Sequence, residues 1–323
     1  MKIGIIGMGG MGSLYLDTFS GIDGANVTAL VSGSYPFPEA QKRGIKLYTD
    51  YVEMLDNECP DICCVCTPTF LHFEQVKAAL TRAVHTICEK PLAFTADEAR
   101  ELYSLAKAKG VFLFPAQVVR FAASTKKLKE IINSRAYGKI QDAFFFRISK
   151  TPLWTKDTWV FDPKKSGLVT YDMHIHDLDL VIYLFGKPLA AEAFDKPANL
   201  PLDIDFRRYR YSFEGFDAFA EAAWYNADIP FKAGFRVVFE DAVAECENDI
   251  FNIHTKDGRH FSCSPNSENA SETGINVPKT DMYQTELSHF IDCIRKGSDS
   301  DVVKQEDIIV LHEILESMRM SYR

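Results

Sequence analysis

The sequence predicts an α/β fold: a doubly wound parallel sheet in the first third of the chain, followed by a second, sheet-rich domain. Three observations carry this. Short apolar runs alternate with helical segments to about residue 120, a glycine cluster follows the first run, and beyond residue 140 the apolar positions recur with period two. A chain of 323 residues can bury two cores, and the change of pattern divides it into domains 1–120 and 121–323.

The runs Ile3 to Ile6, Val27 to Val31, Ile62 to Cys66, Val84 to Cys88 and Val111 to Phe114 are too short for helices and suit strands covered on both faces. The helix before the last run carries its own signals. Thr95 with Glu98 three residues on is a capping box, and the helix should run to about Lys109 before Gly110.

Gly7, Gly9, Gly10 and Gly12, with Met8 and Met11 between them, fit G-x-G-x-x-G after the first strand and before the periodic segment Leu14 to Phe19. In that setting the first glycine permits a tight turn, the second lets backbone approach a pyrophosphate, and the third allows close packing of helix on strand. The loop Gly7 to Gly12 is therefore expected to bind a dinucleotide. Where an acidic residue would accept from the adenosine ribose, the chain has Ser32, followed by Gly33 and Ser34. With no carboxylate to repel a 2′-phosphate, and with Lys42 or Arg43 to supply charge, this loop favours NADP over NAD.

Several classes are disfavoured. A formal charge of −9 and the lack of a Lys/Arg cluster argue against nucleic acid. The start MKIGIIGMGGMG has no secretory pattern and no stretch approaches a membrane span, so a cytoplasmic protein is expected. Cys59, Cys63, Cys64 and Cys66 crowd around one strand without zinc-ligand spacing and read as small buried hydrophobes in a reducing compartment.

In the second half, alternating strands are expected at Gln141 to Ser149, Arg208 to Phe213, Phe216 to Trp224, Phe235 to Phe239 and Val243 to Glu247, with turns at Glu214-Gly215 and Asp257-Gly258. Residues 264–279 lack periodicity and suit a mobile loop. Between the strands lies YDMHIHDLDL, residues 171–180. As a helix over 172–185, it would align Asp172, His176, Asp179 and Tyr183 on a polar stripe, with Ile175, Leu178, Ile182 and Phe185 beside it for a core. His174 and His176 would then point apart and could not chelate one ion. As a strand, the H-x-H pair would share a face, as in metal-dependent barrel hydrolases, but that reading requires repeated βα units and later His ligands that are missing. No metal is expected.

If a bound nicotinamide dinucleotide serves to oxidise a secondary alcohol, the reaction needs a base near neutral pKa and a positive charge beside the forming alkoxide. Imidazole titrates at about 6.5, so His176 suits the first role; Lys90 suits the second. Asp172, one turn before His176, can bind a neighbouring hydroxyl or hold the imidazole tautomer, and can also cap the helix.

CVCTPTFLH, CEKPLAFT, AQVVRF and SGLVTYDMHIHDLDLVIYLFG follow the glycine loop in order, and MYQTELSHFIDCIRKG closes the series. This succession closely resembles the glucose-fructose oxidoreductase, inositol dehydrogenase and MocA-like family of NAD(P)-dependent oxidoreductases, over nearly the whole chain. Glu89-Lys90-Pro91 and Asp172-x-x-x-His176 are its most specific motifs. The resemblance implies a Rossmann domain, an α+β domain with a large, open, mainly antiparallel sheet, and an active site between them. It makes Lys90, Asp172 and His176 the catalytic set and a sugar, inositol or related polyol the substrate. It implies a cis Lys90–Pro91 bond aiming the lysine into the cleft. Thr67, Pro68 and His72 are expected near the pyrophosphate and nicotinamide ribose, and Glu89 near the nicotinamide. Gln117 and Arg120 are further candidates for cofactor or substrate contact, although Arg120 could instead form an interdomain ion pair. Of Trp154, Trp159 and Phe161 before the catalytic helix, Trp159 is the candidate to stack on a sugar-like ring, unless the loop is anchored in the core. The family commonly has a small residue where His174 stands, a departure that implies an altered pocket wall. Its open sheet face commonly pairs subunits, which implies a homodimer or homotetramer and would account for Tyr209, Tyr211 and Phe219. Two alternatives stay open: glycoside cleavage through transient oxidation by retained NAD, and a non-catalytic NAD(P)H-binding regulator.

Ser32→Asp is expected to move coenzyme preference towards NAD, read as the ratio of kcat/KM with NAD⁺ and NADP⁺. An unchanged ratio would remove the 2′-phosphate reading of this loop.

Overall fold

A computed structural model describes residues 1–33, 38–153, 158–194, 204–263 and 280–319. Strands β1 (Lys2–Ile6), β2 (Asn26–Val31), β3 (Lys46–Tyr48), β4 (Ile62–Val65), β5 (His85–Cys88) and β6 (Leu113–Pro115) form a six-stranded sheet in the order β3-β2-β1-β4-β5-β6. All its pairings are parallel. The interior of its central strands is apolar because both faces are covered: Ile3, Ile5, Ile62, Cys63, Cys64, Val65 and Ile87 are fully buried. Helices α1 (Gly10–Phe19), α2 (Pro38–Lys42), α3 (Tyr51–Glu58), α4 (His72–Thr81) and α5 (Ala96–Lys109) connect them.

Local chemistry sets these boundaries. Asp50 caps α3 by accepting from the Glu53 amide at 2.8 Å. The Thr95 and Glu98 capping box opens α5, and Gly110 closes it at φ 68°. The last strand starts two residues later than the apolar run suggests. Val111 donates its amide to the Ala106 carbonyl at 3.0 Å, completing the helix stop instead of joining the sheet.

The chain divides into two compact units, but not by a single cut near residue 120. The first takes Met1–Val118 together with Asp281–His312, which includes α8 (Met282–Lys296) and most of α9 (Gln305–Arg319). The physical reason is the apolar face of α8: Tyr283, Leu287, Phe290 and Ile291 need covering, and Phe290 stacks on Phe114 of β6 with centroids 4.8 Å apart.

The second unit runs from Val119. It holds α6 (Ala123–Ser134), β7 (Ile140–Lys150), α7 (Ile175–Phe185), β8 (Ala190–Phe194), β9 (Asp205–Phe213), β10 (Phe216–Tyr225), β11 (Lys232–Phe239), β12 (Ala242–Glu247), β13 (Ile250–Thr255) and β14 (His260–Cys263). The eight strands form one sheet in the order β14-β13-β12-β11-β7-β10-β9-β8. Only β7 and β10 pair in parallel; the other pairings are antiparallel. Strand β7 shows the two faces: Ala143, Phe145 and Arg147 are buried, whereas Phe144, Phe146 and Ile148 are half-buried. Phe145 meets Phe185 of α7 edge to face at 6.1 Å, so the covered face is the one under this helix.

One expectation is corrected here. Tyr209 and Tyr211 do not belong to the open face; both are fully buried, and only Phe219 of the three is exposed. Their odd positions in β9 put them on the helix side, where the period of two leaves no choice once α7 is placed. Arg120 has an ion-pair partner within its own unit. It donates through Nε and a terminal nitrogen to both carboxylate oxygens of Asp179, at 2.8 and 2.7 Å, inside the second unit. Residues 264–279 and Trp154 lie outside the described residues. Among the described residues, no helix is long and apolar enough to cross a membrane.

Arg120 and Asp179 are both buried, so removing one partner strips the other's interior charge of this bidentate counter-charge. Arg120→Ala is expected to destabilise the protein by about 3–5 kcal/mol, and replacement of both residues by apolar ones by clearly less. Urea denaturation of the two variants checks the order.

Candidate active site

In the first unit the strand ends supply the site. Beyond β1, Gly7 turns the chain at φ +96°, where an added Cβ would lie 2.7 Å from Thr67 Cγ2. At Gly12 a Cβ would come within 1.9 Å of the Gly7 carbonyl oxygen, so only glycine lets α1 approach the turn. At Gly9 a Cβ would meet nothing within 4 Å, leaving open space above the backbone. Gly10 and Met11 open α1, which has no side-chain cap and no acidic residue in its first turn. Its free amide end thus presents uncompensated positive potential to that space, as a pyrophosphate requires.

The neighbouring strand ends line up beside this cradle. Thr67 and Pro68 follow β4; the Thr67 hydroxyl donates to Gln75 Oε1 at 2.5 Å. Glu89, Lys90 and Pro91 follow β5, with a cis Lys90–Pro91 bond. Burial raises the Glu89 carboxyl above its usual range, opposed by the Tyr15 hydroxyl and by Lys90. Gln117 follows β6, is 1% exposed, and both ends of its amide lack a hydrogen-bond partner. A buried amide of this kind calls for a polar ligand. Ser32 follows β2 and is buried. Arg43 donates to Asp17 of α1 at 2.9 Å, which ties up one of the two cations considered for a 2′-phosphate. The cradle, the strand-end polar groups and the unsatisfied amide fit a dinucleotide.

His72 is almost fully buried, and both of its ring nitrogens meet backbone carbonyls. Nδ1 lies 2.7 Å from the Pro91 oxygen and Nε2 2.7 Å from the Thr67 oxygen. His312 of α9 reaches the same loop, accepting at Nε2 from the Ala93 amide at 3.3 Å while Nδ1 bonds the Ile308 carbonyl at 2.7 Å.

In the second unit the helix carrying Asp172 and His176 begins differently from the regular helix expected. Thr170–His174 form a π-helical turn that runs into α7. The wider turn is pinned from β9. Asp205 accepts from the Val169 amide at 3.2 Å, and the Thr170 and Tyr209 hydroxyls are 2.9 Å apart. Single-turn π segments are frequent at functional sites. Between Thr170 and Leu184 only Asp172, His176 and Tyr183 are partly exposed, because Asp179 is drawn inward to Arg120.

His174 and His176 therefore lie on helical backbone and not on a strand. His174 is fully buried, stacked on Tyr209 at 3.4 Å between centroids and hydrogen-bonded to the Tyr211 hydroxyl. Asp177 beside it pairs with Arg147 at 3.1 Å; burial raises its carboxyl to about 6 while Arg147 opposes the shift. The sequence reading missed this polar layer, although Asp205, Arg207, Tyr209 and Tyr211 share one parity in β9 and so one face. Trp159 sits half-buried in the 3₁₀ turn Thr158–Phe161, where Phe161 packs on the buried Trp224. Cys63, Cys64, Cys66 and Cys88 are buried, free, and held as thiols by burial, Cys63 up to about 12. Among the described residues no group of three His, Cys, Asp or Glu is placed to hold a metal.

The fold and cradle define a Rossmann-type dinucleotide-binding unit joined to an α+β unit. The particular family follows from two family models. One, described as an oxidoreductase family with an NAD-binding Rossmann fold, matches residues 1–117; the other, the GFO/IDH/MocA C-terminal domain, matches residues 125–206. The chain belongs to the GFO/IDH/MocA family of NAD(P)-binding oxidoreductases. It is 31% identical over 191 residues to myo-inositol 2-dehydrogenase of Thermotoga maritima, covering 58% of this chain and 55% of that protein. It is 25% identical over 272 residues to a D-xylose 1-dehydrogenase (NADP(+)) of Haloferax volcanii, covering 83% and 80%. For three of the curated relatives it matches, the chain spans only 40% to 57% of their length. A crystal structure of an Agrobacterium radiobacter oxidoreductase in complex with NAD⁺, L-tartaric acid and magnesium shares the fold, with TM-score 0.84 at 16% identity over 100% of this chain and 97% of that one.

Burial, with Arg147 and Arg207 nearby, holds the His174 imidazole well below its usual pKa. An unfolded histidine titrates at about 6.5, so this group's contribution to stability is present above that pH and is lost as pH falls below it. His72 and His85, also lowered by burial, act in the same direction. His174→Gln should therefore flatten the decline in Tm between about pH 7 and about pH 5. An unchanged slope in calorimetry would mean that His174 is protonated in the fold.

Proposed function

We propose that the protein is an NAD(P)-dependent dehydrogenase or reductase that transfers hydride between nicotinamide and a secondary alcohol or carbonyl of a sugar, inositol or related polyol. The observation that carries this reading lies in each unit by itself: the first holds the glycine cradle with Lys90 at a neighbouring strand end, and the second holds a helix whose partly exposed groups are Asp172, His176 and Tyr183. The named activities of the inositol and xylose dehydrogenase relatives support the substrate class.

The coenzyme, when bound, accepts or returns the hydride. The loop Gly7 to Gly12 and the α1 amides would hold its pyrophosphate, with Thr67 and Pro68 near the pyrophosphate and nicotinamide ribose, Glu89 near the nicotinamide, and Gln117 as a further contact. NADP is favoured over NAD because Ser32 presents no carboxylate. His176 takes the proton from the substrate hydroxyl in the oxidative direction and returns it in the reductive one. Lys90 donates a hydrogen bond to the same oxygen and stabilises its negative charge. Asp172 binds the neighbouring hydroxyl or orients the imidazole. Trp159 offers an aromatic face to the ring. The half-buried Phe144 and Phe146 and the exposed Phe219 lie on the open sheet face and suit a cytoplasmic homodimer or homotetramer.

Nicotinamide absorbance followed with NAD⁺ and NADP⁺ against inositols, aldoses and sugar acids, in excess chelator, should show turnover. His176→Ala should lower kcat by about 10²–10⁴-fold with little change in coenzyme binding. An undiminished kcat would remove His176 from the chemistry, and a monomer by sedimentation would remove the assembly.

A further inference from the structure

We propose that His72 is a positioning residue that ties the end of β4 to the loop after β5 and thereby fixes Lys90. This rests on the dehydrogenase reading in so far as Lys90 is catalytic. The argument begins where the sheet stops. The β4–β5 ladder ends at Val65 and Cys88, with one last bond from the Glu89 amide to the Val65 carbonyl at 2.9 Å. Thr67 and Lys90 lie past it, so backbone pairing no longer sets their spacing. Pro91 has no amide to donate, which leaves its carbonyl as its backbone handle. That carbonyl and the Thr67 carbonyl are each 2.7 Å from a nitrogen of the one buried His72 ring. The imidazole thus replaces the missing rung between the two strand ends.

The other side of the loop is held as well. His312 accepts from the Ala93 amide, and its Nδ1 contact with the Ile308 carbonyl fixes the tautomer that makes Nε2 an acceptor. Lys90 therefore stands at the head of a short segment whose two anchor points, Pro91 and Ala93, are gripped by imidazoles of opposite polarity. One ring donates and the other accepts. Both are within the first unit. The His72 ring itself has more acceptors than a neutral imidazole has protons: a single N–H serves one carbonyl, and only the cation serves both. The contact that positions Lys90 is the one from Nδ1 to Pro91.

Two substitutions separate that contact from general packing. Asn places its amide nitrogen near Nδ1, towards Pro91, and Gln places its own near Nε2, towards Thr67. In His72→Gln, kcat should fall by about 10²-fold with coenzyme KM little changed, the size of loss that a misplacement of about 1 Å produces. In His72→Asn, kcat should stay about tenfold or more above that of His72→Gln. Equal kcat in the two variants would overturn the proposal. The protonation of the ring in the wild-type protein gives an independent reading by ¹⁵N NMR. A proton on Nδ1 supports the tie to Pro91, and a bare Nδ1 overturns it even if neither variant folds. A wild type inactive across the substrate panel would instead remove the dehydrogenase reading, and the Nδ1 proton then decides the tie by itself.

Discussion

The close approach of α1 to the turn after β1 is the constraint on which the rest depends. Gly12 lies so near the Gly7 carbonyl that no side chain fits between them, and this contact seats the helix with its amide end over the carboxyl ends of the strands. A parallel sheet gives every strand the same direction, so β4, β5 and β6 deliver Thr67, Lys90 and Gln117 to that same edge. The cost of the arrangement is that backbone hydrogen bonding ends where the functional residues begin. Buried side chains then take over the holding, and His72 and His312 are the clearest instances.

The second unit meets a similar problem with a different device. A helix that presents Asp172 and His176 must be anchored firmly on its other side, yet its hidden face carries Asp177, Asp179 and His174 in addition to the apolar stripe. Each is matched from the sheet or from the preceding segment: Arg147 to Asp177, Arg120 to Asp179, Tyr209 and Tyr211 to His174. Buried polar pairs of this kind add less stability than an apolar core of equal volume, but they tolerate few alternative registers. The helix therefore gains a defined rotation, which decides which of its side chains reach the surface.

Features set by neighbours in sequence were legible without coordinates. The capping box at Thr95, the stop at Gly110 and the glycine turn at Gly7 depend on residues only a few positions apart. Features set by distant partners were not. The π-helical turn at Thr170 is held by Asp205 and Tyr209, which nothing local announces, and a regular helix was the natural expectation from its periodicity. Tyr209 and Tyr211 have an obvious parity, but parity does not say which face is covered until α7 has been placed on the sheet. Asp179 was placed on one polar stripe with Asp172 and His176 for the same reason: its partner lies 59 positions away. The chemical types at Lys90, Asp172 and His176 were readable, whereas the structure around His72 and His312 was not, because a histidine in a helix carries no mark of what its nitrogens meet.

The return of α8 to the first sheet has a consequence for how the molecule is made. Synthesis is vectorial, and β6 with Phe114 leaves the ribosome long before Phe290 exists. Until α8 emerges, that flank of the nascent sheet remains an uncovered apolar surface, while most of the second unit is translated in between. The chain therefore has to keep an unfinished domain out of harm for most of its own birth, and a gene fragment ending near residue 120 would leave it permanently in that state.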